Sequence, residues 1–236
     1  MLVGPVPAGG ESVVSPHESA LLGPRAVPKR REDFVRGRWV AKQLLAAARP
    51  GARPTDYVIL PDALGAPVVR DADLAPLPLS LSISHTGGLA MAALCDSPRR
   101  VGVDIERPID NPAPIVGEYF TRAELRLCDG LSGPTLRTRA ALIWSVKETL
   151  MKVLGQGLRI APTSVGLEAI GEASGAWREA SVFVRGPQPQ TGQSLRVWVQ
   201  EHADRVASLA LLGGPELDAE PPRIELYGAS ATIHPG

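Results

Sequence analysis

The sequence predicts an α+β fold: two similar α/β subdomains related by a pseudo-twofold axis, with a ligand cleft at their interface. Two helical stretches, one holding Trp39 and the other Trp144, each stand ahead of a series of short strands. Ser84-His85-Thr-Gly-Gly-Leu-Ala-Met-Ala-Ala-Leu94 is echoed by Glu201-His202-Ala-Asp-Arg-Val-Ala-Ser-Leu-Ala-Leu211, a His, a polar turn and an apolar strand at matched offsets. A Pro- and Asn-containing connection, Arg107 to Pro114, separates the two sets. The expected division is a lead-in over residues 1–28, an N-terminal half over 29–108 and a C-terminal half over 109–236 with a loose tail.

The lead-in is rich in Gly, Pro and Ser and lacks the basic start and apolar core of a signal peptide, so it reads as loosely packed. Lys29-Arg30-Arg31 then precedes a helix predicted over Glu32 to Ala48, with a stripe of Phe34, Ala41 and Leu45 and a stop at Arg49-Pro50-Gly51. Arg36, Arg38 and Lys42 share that helix, and basic residues near its start oppose the helix dipole. Such a cluster is either a solvated face or an anion site in which the ligand relieves the conflict.

Tyr57 to Leu60 is a short strand, Leu64-Gly65-Ala66-Pro67 a turn, and Val68-Val69 begins another strand. Leu79 to Thr86 alternates apolar and polar residues as a half-buried strand does. After Gly87-Gly88, Leu89 to Leu94 is apolar throughout and reads as buried on both faces. His85, at the strand end, is structural or ligand-binding on this evidence, and the two glycines would let a ligand approach the backbone. Gly102-Val-Asp-Ile-Glu106 is a further strand, with Asp104 and Glu106 on one side and Val103 and Ile105 on the other.

Thr121 and Glu124 have the spacing of a capping box. Gly130 to Thr138 reads as flexible, and Ala140 to Leu154, free of Pro and Gly, as a helix. Leu142, Val146, Leu150 and Val153 form its buried stripe, while Trp144, Glu148 and Lys152 lie one turn apart on an adjacent face. Gly155-Gln-Gly157 ends it. Strands follow at Val165 to Glu168, Ala180 to Val184 and Leu195 to Gln200, then a terminal strand and tail over Pro221 to Gly236.

Composition narrows the function. With 25 basic and 25 acidic residues in 236, no global basic field argues for nucleic acid. No apolar run reaches membrane-spanning length. Two cysteines are too few for a disulfide framework, so a cytoplasmic location is expected. An isolated Glu148–Lys152 pair would be ordinary helix-surface chemistry worth a few tenths of a kcal/mol. Combined with Asp104 and Glu106, Glu148 completes a three-carboxylate set suited to a hard divalent cation, with waters and a phosphate filling the shell as Mg2+ prefers.

G-V-D-I-E at residues 102–106 followed by W-S-V-K-E-T-x-x-K at 144–152 resembles the paired signature of the 4′-phosphopantetheinyl transferases, in the larger single-chain type. Members of that family usually read G-[IV]-D-x-E and W-x-x-K-E-[AS]-x-x-K in this order. K-R-R-x-x-F-x-x-x-R at residues 29–38 and S-x-S-H-T at 82–86 are similar to two further family elements. The resemblance implies transfer of the phosphopantetheine arm of coenzyme A to a serine of an acyl or peptidyl carrier protein, with Mg2+ (or Mn2+) and release of adenosine 3′,5′-bisphosphate. By the same resemblance Arg30, Arg38, Ser84 and His85 bind the cofactor, with Lys152 and, more weakly, Lys147. Asp104, Glu106 and Glu148 bind the metal; Glu148 and Lys152 are catalytic, as base and as partner of the diphosphate oxygens. Leu64 and Ala66 flank Gly65 where relatives often carry a cofactor-contacting Lys or Arg, so that contact is missing or supplied from elsewhere. A monomer is expected. A metal-dependent nucleotide pyrophosphate hydrolase and a non-catalytic carrier-binding module are the alternatives that the same residues allow.

Overall fold

A computed structural model of the chain describes residues 2–4, 10–155, 159–186, 192–214, 217 and 225–226. After strand β1 (Leu2–Gly4) come a short helix α1 (Pro16–Ser19) and the long α2 (Pro28–Ala47). Strands β2 (Val58–Pro61), β3 (Pro67–Arg70), β4 (Leu79–Thr86), β5 (Leu89–Asp96) and β6 (Arg100–Glu106) follow. Helices α3 (Ala113–Tyr119), α4 (Arg122–Arg126) and α5 (Gly133–Val153) then lead to β7 (Val165–Ser174), β8 (Trp177–Val184), β9 (Ser194–Glu201) and β10 (Val206–Gly213). A last strand, β11 (Glu225–Leu226), is the one described part of the expected terminal strand and tail.

The fold is α+β: one long helix packs on each of two sheets, ordered β11-β1-β5-β4 and β6-β10-β9-β8-β7, with β2 and β3 as a separate hairpin. Helix α2 closes one core through Trp39, Val40, Ala41 and Leu45, and α5 closes another through Leu142, Val146, Leu150 and Val153. A third cluster joins the sheets, bringing Met91 of β5 against Val103 and Ile105 of β6 and Trp177 and Trp198 beyond them. Removing such side chains from water is the main favourable contribution to folding.

The expectation for β6 needs correcting. It ends the first half in sequence, yet it is hydrogen-bonded along its length to β10, antiparallel, from Arg100↔Leu212 to Glu106↔Val206. Among the described residues no strand pairs with its other edge. There the backbone N–H groups of Val101, Val103 and Ile105 donate to the hydroxyls of Ser80, Ser82 and Ser84 at 3.1, 3.0 and 3.4 Å. The alternating serines of β4 thus do for β6 what a neighbouring strand's carbonyls would do, since an unpaired buried N–H is costly.

Other boundaries also move. Helix α2 starts at Pro28 rather than Glu32, because a proline at the first turn gives up no intrahelical hydrogen bond. Helix α5 starts at Gly133, absorbing most of the stretch expected to be flexible, again with a proline in its first turn. Its C-terminal Gly155 takes the left-handed conformation (φ +69), while Gln156 and Gly157 lie outside the described residues. The lead-in is not loose where it is described: β1 pairs with β5, and Ser15 caps α1 in a reciprocal capping box with the fully buried Glu18. Among the described residues no helix is long and apolar enough to cross a membrane.

Gly102 explains how closely α5 lies on β6. A Cβ there would collide with the backbone carbonyl of Thr149 and lie 2.9 Å from the Val153 nitrogen, so a side chain would force the helix off the strand. Gly102→Ala is expected to lower stability by about 2 kcal/mol or more, the range for overpacking against backbone, as read from urea denaturation.

Candidate active site at the junction of the halves

Helix α5 runs antiparallel to β6 and lays its Glu148–Lys152 face over the Asp104–Glu106 end of the strand. Lys152 Nζ donates to Asp104 Oδ1 at 2.8 Å and to the Val103 carbonyl at 3.1 Å, and stands 3.5 Å from Glu148 Oε2. Asp104 is 1% exposed, and Ser84 donates its hydroxyl to the same Oδ1 at 2.7 Å. Its other oxygen, Oδ2, is buried without a partner among the described residues. Thr86 Oγ1 donates to Glu106 Oε2 at 3.1 Å. Thus the strand holds the two carboxylates, and the serine/threonine row of β4 orients them.

The electrostatics follow from crowding. Burial, then the nearby Asp104 and Glu148 charges, push the Glu106 carboxyl up to about 7. Burial and Asp104 likewise raise Glu148 above the usual carboxylate range, against the pull of Lys152. Burial disfavours the Lys152 ammonium, but Asp104 and Glu148 together outweigh it and hold Lys152 above its ordinary value. Among the described residues no three acidic, His or Cys side chains are drawn together as a preformed metal cage. The cluster nevertheless offers hard oxygen donors, one of them a buried unpartnered carboxylate oxygen, in an environment short of positive charge. That donor chemistry suits Mg2+ bound with waters and a phosphate rather than a closed protein cage.

A neighbouring cavity of about 430 Å³ is lined by Arg30, Asp33, Phe34, Arg38 and His85. Arg38 stacks on the Phe34 ring at 4.4 Å and lies 3.4 Å from Glu18 Oε1, and burial lowers its pKa. His85 Nδ1 is 4.0 Å from Asp33 Oδ2, and Asp33 also accepts a hydrogen bond from Arg36 at 2.8 Å. The structure therefore brings Arg30, Arg38 and His85 to one cavity, and Asp104, Glu106, Glu148 and Lys152 to the adjoining junction.

Two expected site residues do other work. Lys147 is wholly buried: its ammonium pairs with Glu124 Oε1 at 2.8 Å and donates to the carbonyls of Pro162 and Val165. It points into the C-terminal core, one helical residue away from Glu148 but on the opposite side, and cannot reach a ligand. Ser84 has both hydrogen-bonding roles used inside the protein, accepting from Ile105 and donating to Asp104, so it positions a carboxylate instead of touching a cofactor.

The Glu124–Lys147 pair has a twin that sequence reading missed. Glu18 Oε2 pairs with Lys42 Nζ at 2.6 Å, both side chains wholly buried, and burial lowers the pKa of Lys42 and of Lys147 alike. Each glutamate closes a capping box, and each accepts the N–H of the strand that follows its helix, Ile59 or Leu167. The signal was present as S/T-x-x-E followed by W-x-x-K at Ser15/Trp39 and again at Thr121/Trp144.

A model of the 4′-phosphopantetheinyl transferase superfamily matches residues 100–210, and one of the 4′-phosphopantetheinyl transferase N-terminal domain matches residues 17–95. The chain is 34% identical over 112 residues to the 4′-phosphopantetheinyl transferase psf-1 of Bacillus pumilus, a match covering 45% of this chain and 44% of that protein. It therefore spans less than half the length of that relative. Among solved structures, a holo-(acyl-carrier-protein) synthase from Bacillus anthracis str. Ames in complex with CoA (3′,5′-ADP) superposes with a TM-score of 0.38 and 16% identity over 48% of this chain and 93% of the other. The Chronobacterium ammoniagenes ACPS–CoA complex does so with a TM-score of 0.36 and 19% identity over 49% and 97%.

The buried pair makes a direct prediction. Lys147→Met strands the Glu124 carboxylate in the core and should cost about 3–5 kcal/mol in urea denaturation. Adding Glu124→Gln should recover a substantial part of the loss, because the uncompensated charge is gone.

Proposed function

The chain belongs to the 4′-phosphopantetheinyl transferase superfamily, of the larger single-chain type, and on that premise we propose that it moves the phosphopantetheine arm of coenzyme A onto a carrier-protein serine. The observation that carries this reading is the convergence of Asp104, Glu148 and Lys152 beside a cavity lined by Arg30, Arg38 and His85. A nucleotide bearing an extra phosphate suits the basic cavity, and its diphosphate then lies at the mixed-charge junction.

The reaction forms a bond from the serine Oγ to the phosphorus that carries the arm. It breaks the bond from that phosphorus to the bridging oxygen, so adenosine 3′,5′-bisphosphate leaves. A serine hydroxyl is a weak nucleophile near neutral pH and needs a placed base. Glu148 takes its proton. Glu148 is partly open at 28% side-chain exposure, so an incoming hydroxyl can reach it. Lys152 compensates charge on the departing phosphate oxygen, a task suited to a compact ammonium. Asp104, fixed by Ser84 and Lys152, and Glu106, fixed by Thr86, would hold Mg2+ together with Glu148. When bound, the ion polarises the diphosphate and offsets charge on the leaving oxygen. Arg38, stacked and nearly buried, gives a rigid guanidinium fork to the nucleotide phosphate, with Arg30 and His85 beside it.

The deciding experiment is intact-mass analysis of apo acyl and peptidyl carrier proteins incubated with enzyme, coenzyme A and Mg2+. A gain of one phosphopantetheine is expected; coenzyme A cleavage at the same rate without a carrier would replace transfer by hydrolysis. EDTA should silence the gain and Mg2+ or Mn2+ restore it. Glu148→Gln should abolish it in a protein that melts like the wild type. Arg38→Ala should raise the KM for coenzyme A by about tenfold, the loss of one charge-assisted contact, with an unchanged KM moving the phosphate grip elsewhere.

A further inference from the structure

A second cavity, of about 450 Å³, opens on the other side of Lys152. Its walls are the β2–β3 turn around Gly65, the edge strand β4, the β5–β6 turn at Ser97-Pro98 and the C-terminal end of α5 at Gly155. It shares Gly65, Pro67 and Ile83 with the basic cavity, so the two form one groove, which meets the acidic junction at Lys152. Arg100 projects into this second cavity from the start of β6. One terminal nitrogen of its guanidinium lies against Gly155, where a Cβ would overlap it.

Three cations line this cavity: Lys152 at the junction, Arg99, which is exposed, and Arg100. Lys42, Lys147 and Lys152 each have a carboxylate within salt-bridge distance. Arg100, half-buried, has neither ion pair nor hydrogen bond among the described residues, and burial depresses its pKa. Its N–H donors, unused by the protein among the described residues, suit a ligand rich in acceptors.

We propose that Arg100 binds the phosphopantetheine arm itself, donating to the amide carbonyls of the arm within this cavity. The proposal rests on the transfer reading given above. Arg100 lies four residues from Asp104 along β6, roughly 13 Å at the rise of a strand. In an extended arm the two amide carbons are about five and nine bonds from the phosphorus, on the order of 6 and 11 Å away. Turned from Gly155 toward Asp104, the guanidinium would meet that stretch. The edge of β4, without a strand partner among the described residues, would lie beside the same amides. Arg100, with Arg99, also puts positive charge on this side of the groove, where the Gly65 turn has Leu64 and Ala66.

A purely structural role is the competing account: a cation near the C-terminus of α5 complements the helix dipole. Binding of coenzyme A and of adenosine 3′,5′-bisphosphate, which lacks the arm, separates the two. Isothermal titration of each ligand with Mg2+ into wild type, Arg100→Met and Arg100→Lys is the test, alongside the KM for coenzyme A. Coenzyme A should weaken about tenfold in Arg100→Met and the bisphosphate by less than about twofold. Arg100→Lys, which keeps the charge at the helix end, should give the same split even if Arg100→Met proves too unstable to assay. Equal weakening of both ligands, or no weakening of either, overturns the proposal. Failure of the wild type to modify any carrier would sink the transfer reading, while the titrations would still decide whether Arg100 senses the arm.

Discussion

Strand β6 must be hydrogen-bonded on both edges, and only one of them has a strand beside it. Pairing with β10 satisfies the first edge, and three serine hydroxyls from β4 satisfy the second. The two halves of the chain are joined through this strand. It follows that Asp104 and Glu106 are held from both halves at once: their backbone belongs to the C-terminal sheet, and the groups that orient their side chains, Ser84 and Thr86, belong to the N-terminal one. A carboxylate with its chain fixed on two sides loses little freedom when a ligand arrives, which favours precise placement of a reacting group.

The repeated unit differs between the two halves at the positions that the proposed function uses. The two long helices share a Trp three residues before a buried Lys, and each Lys is neutralised by a capping-box Glu. Counting from these twin lysines, the positions of Glu148 and Lys152 correspond to Gln43 and Ala47 in the first helix. The first helix instead carries Arg38 just before its Trp, where the second has Ile143. On the proposed function one copy of the repeated unit would present an anion grip and the other an acid–base pair, while the buried ion pair is present in both. Buried ion pairs of this kind are seldom net stabilisers against apolar substitutes. Their repetition here fits a role in fixing the angle at which each helix, its cap and the next strand meet.

Much of this was legible in the chain. The alternation of β4, the Asp104/Glu106 spacing and the Trp144–Glu148–Lys152 face each depend on a local period, and the structure has all three. What misled was information carried by partners far away in sequence. Lys147 looked available because helical spacing says which way a side chain points, not what it meets there, and Glu124 is 23 residues upstream. Ser84 looked like a ligand contact because its partners lie on β6, about 20 residues on. The assignment of β6 to the second sheet was hidden for the same reason, since strand pairing is set by non-local contacts. The repeated S/T-x-x-E and W-x-x-K spacing would have exposed both buried pairs had the halves been compared at those positions.

Charge balance at the junction constrains how the proposed substrates can enter. Asp104, Glu106 and Glu148 face one ammonium, and the two glutamates already respond by rising above their ordinary pKa. A diphosphate approaching this site adds further negative charge to a place where, among the described residues, Lys152 is the one cation directly paired with the cluster. Lys152 alone cannot offset both the carboxylates and the phosphates, so on the proposed function the nucleotide and a divalent cation bind with mutual reinforcement. Each neutralises what would repel the other. The basic cavity around Arg30, Arg38 and His85 is separated from this imbalance and can hold the far phosphate first. The division of labour between a cation-rich cavity and an anion-rich junction would then let the far phosphate be held before the ion arrives, while the alignment of the diphosphate depends on the ion and tightens the whole grip.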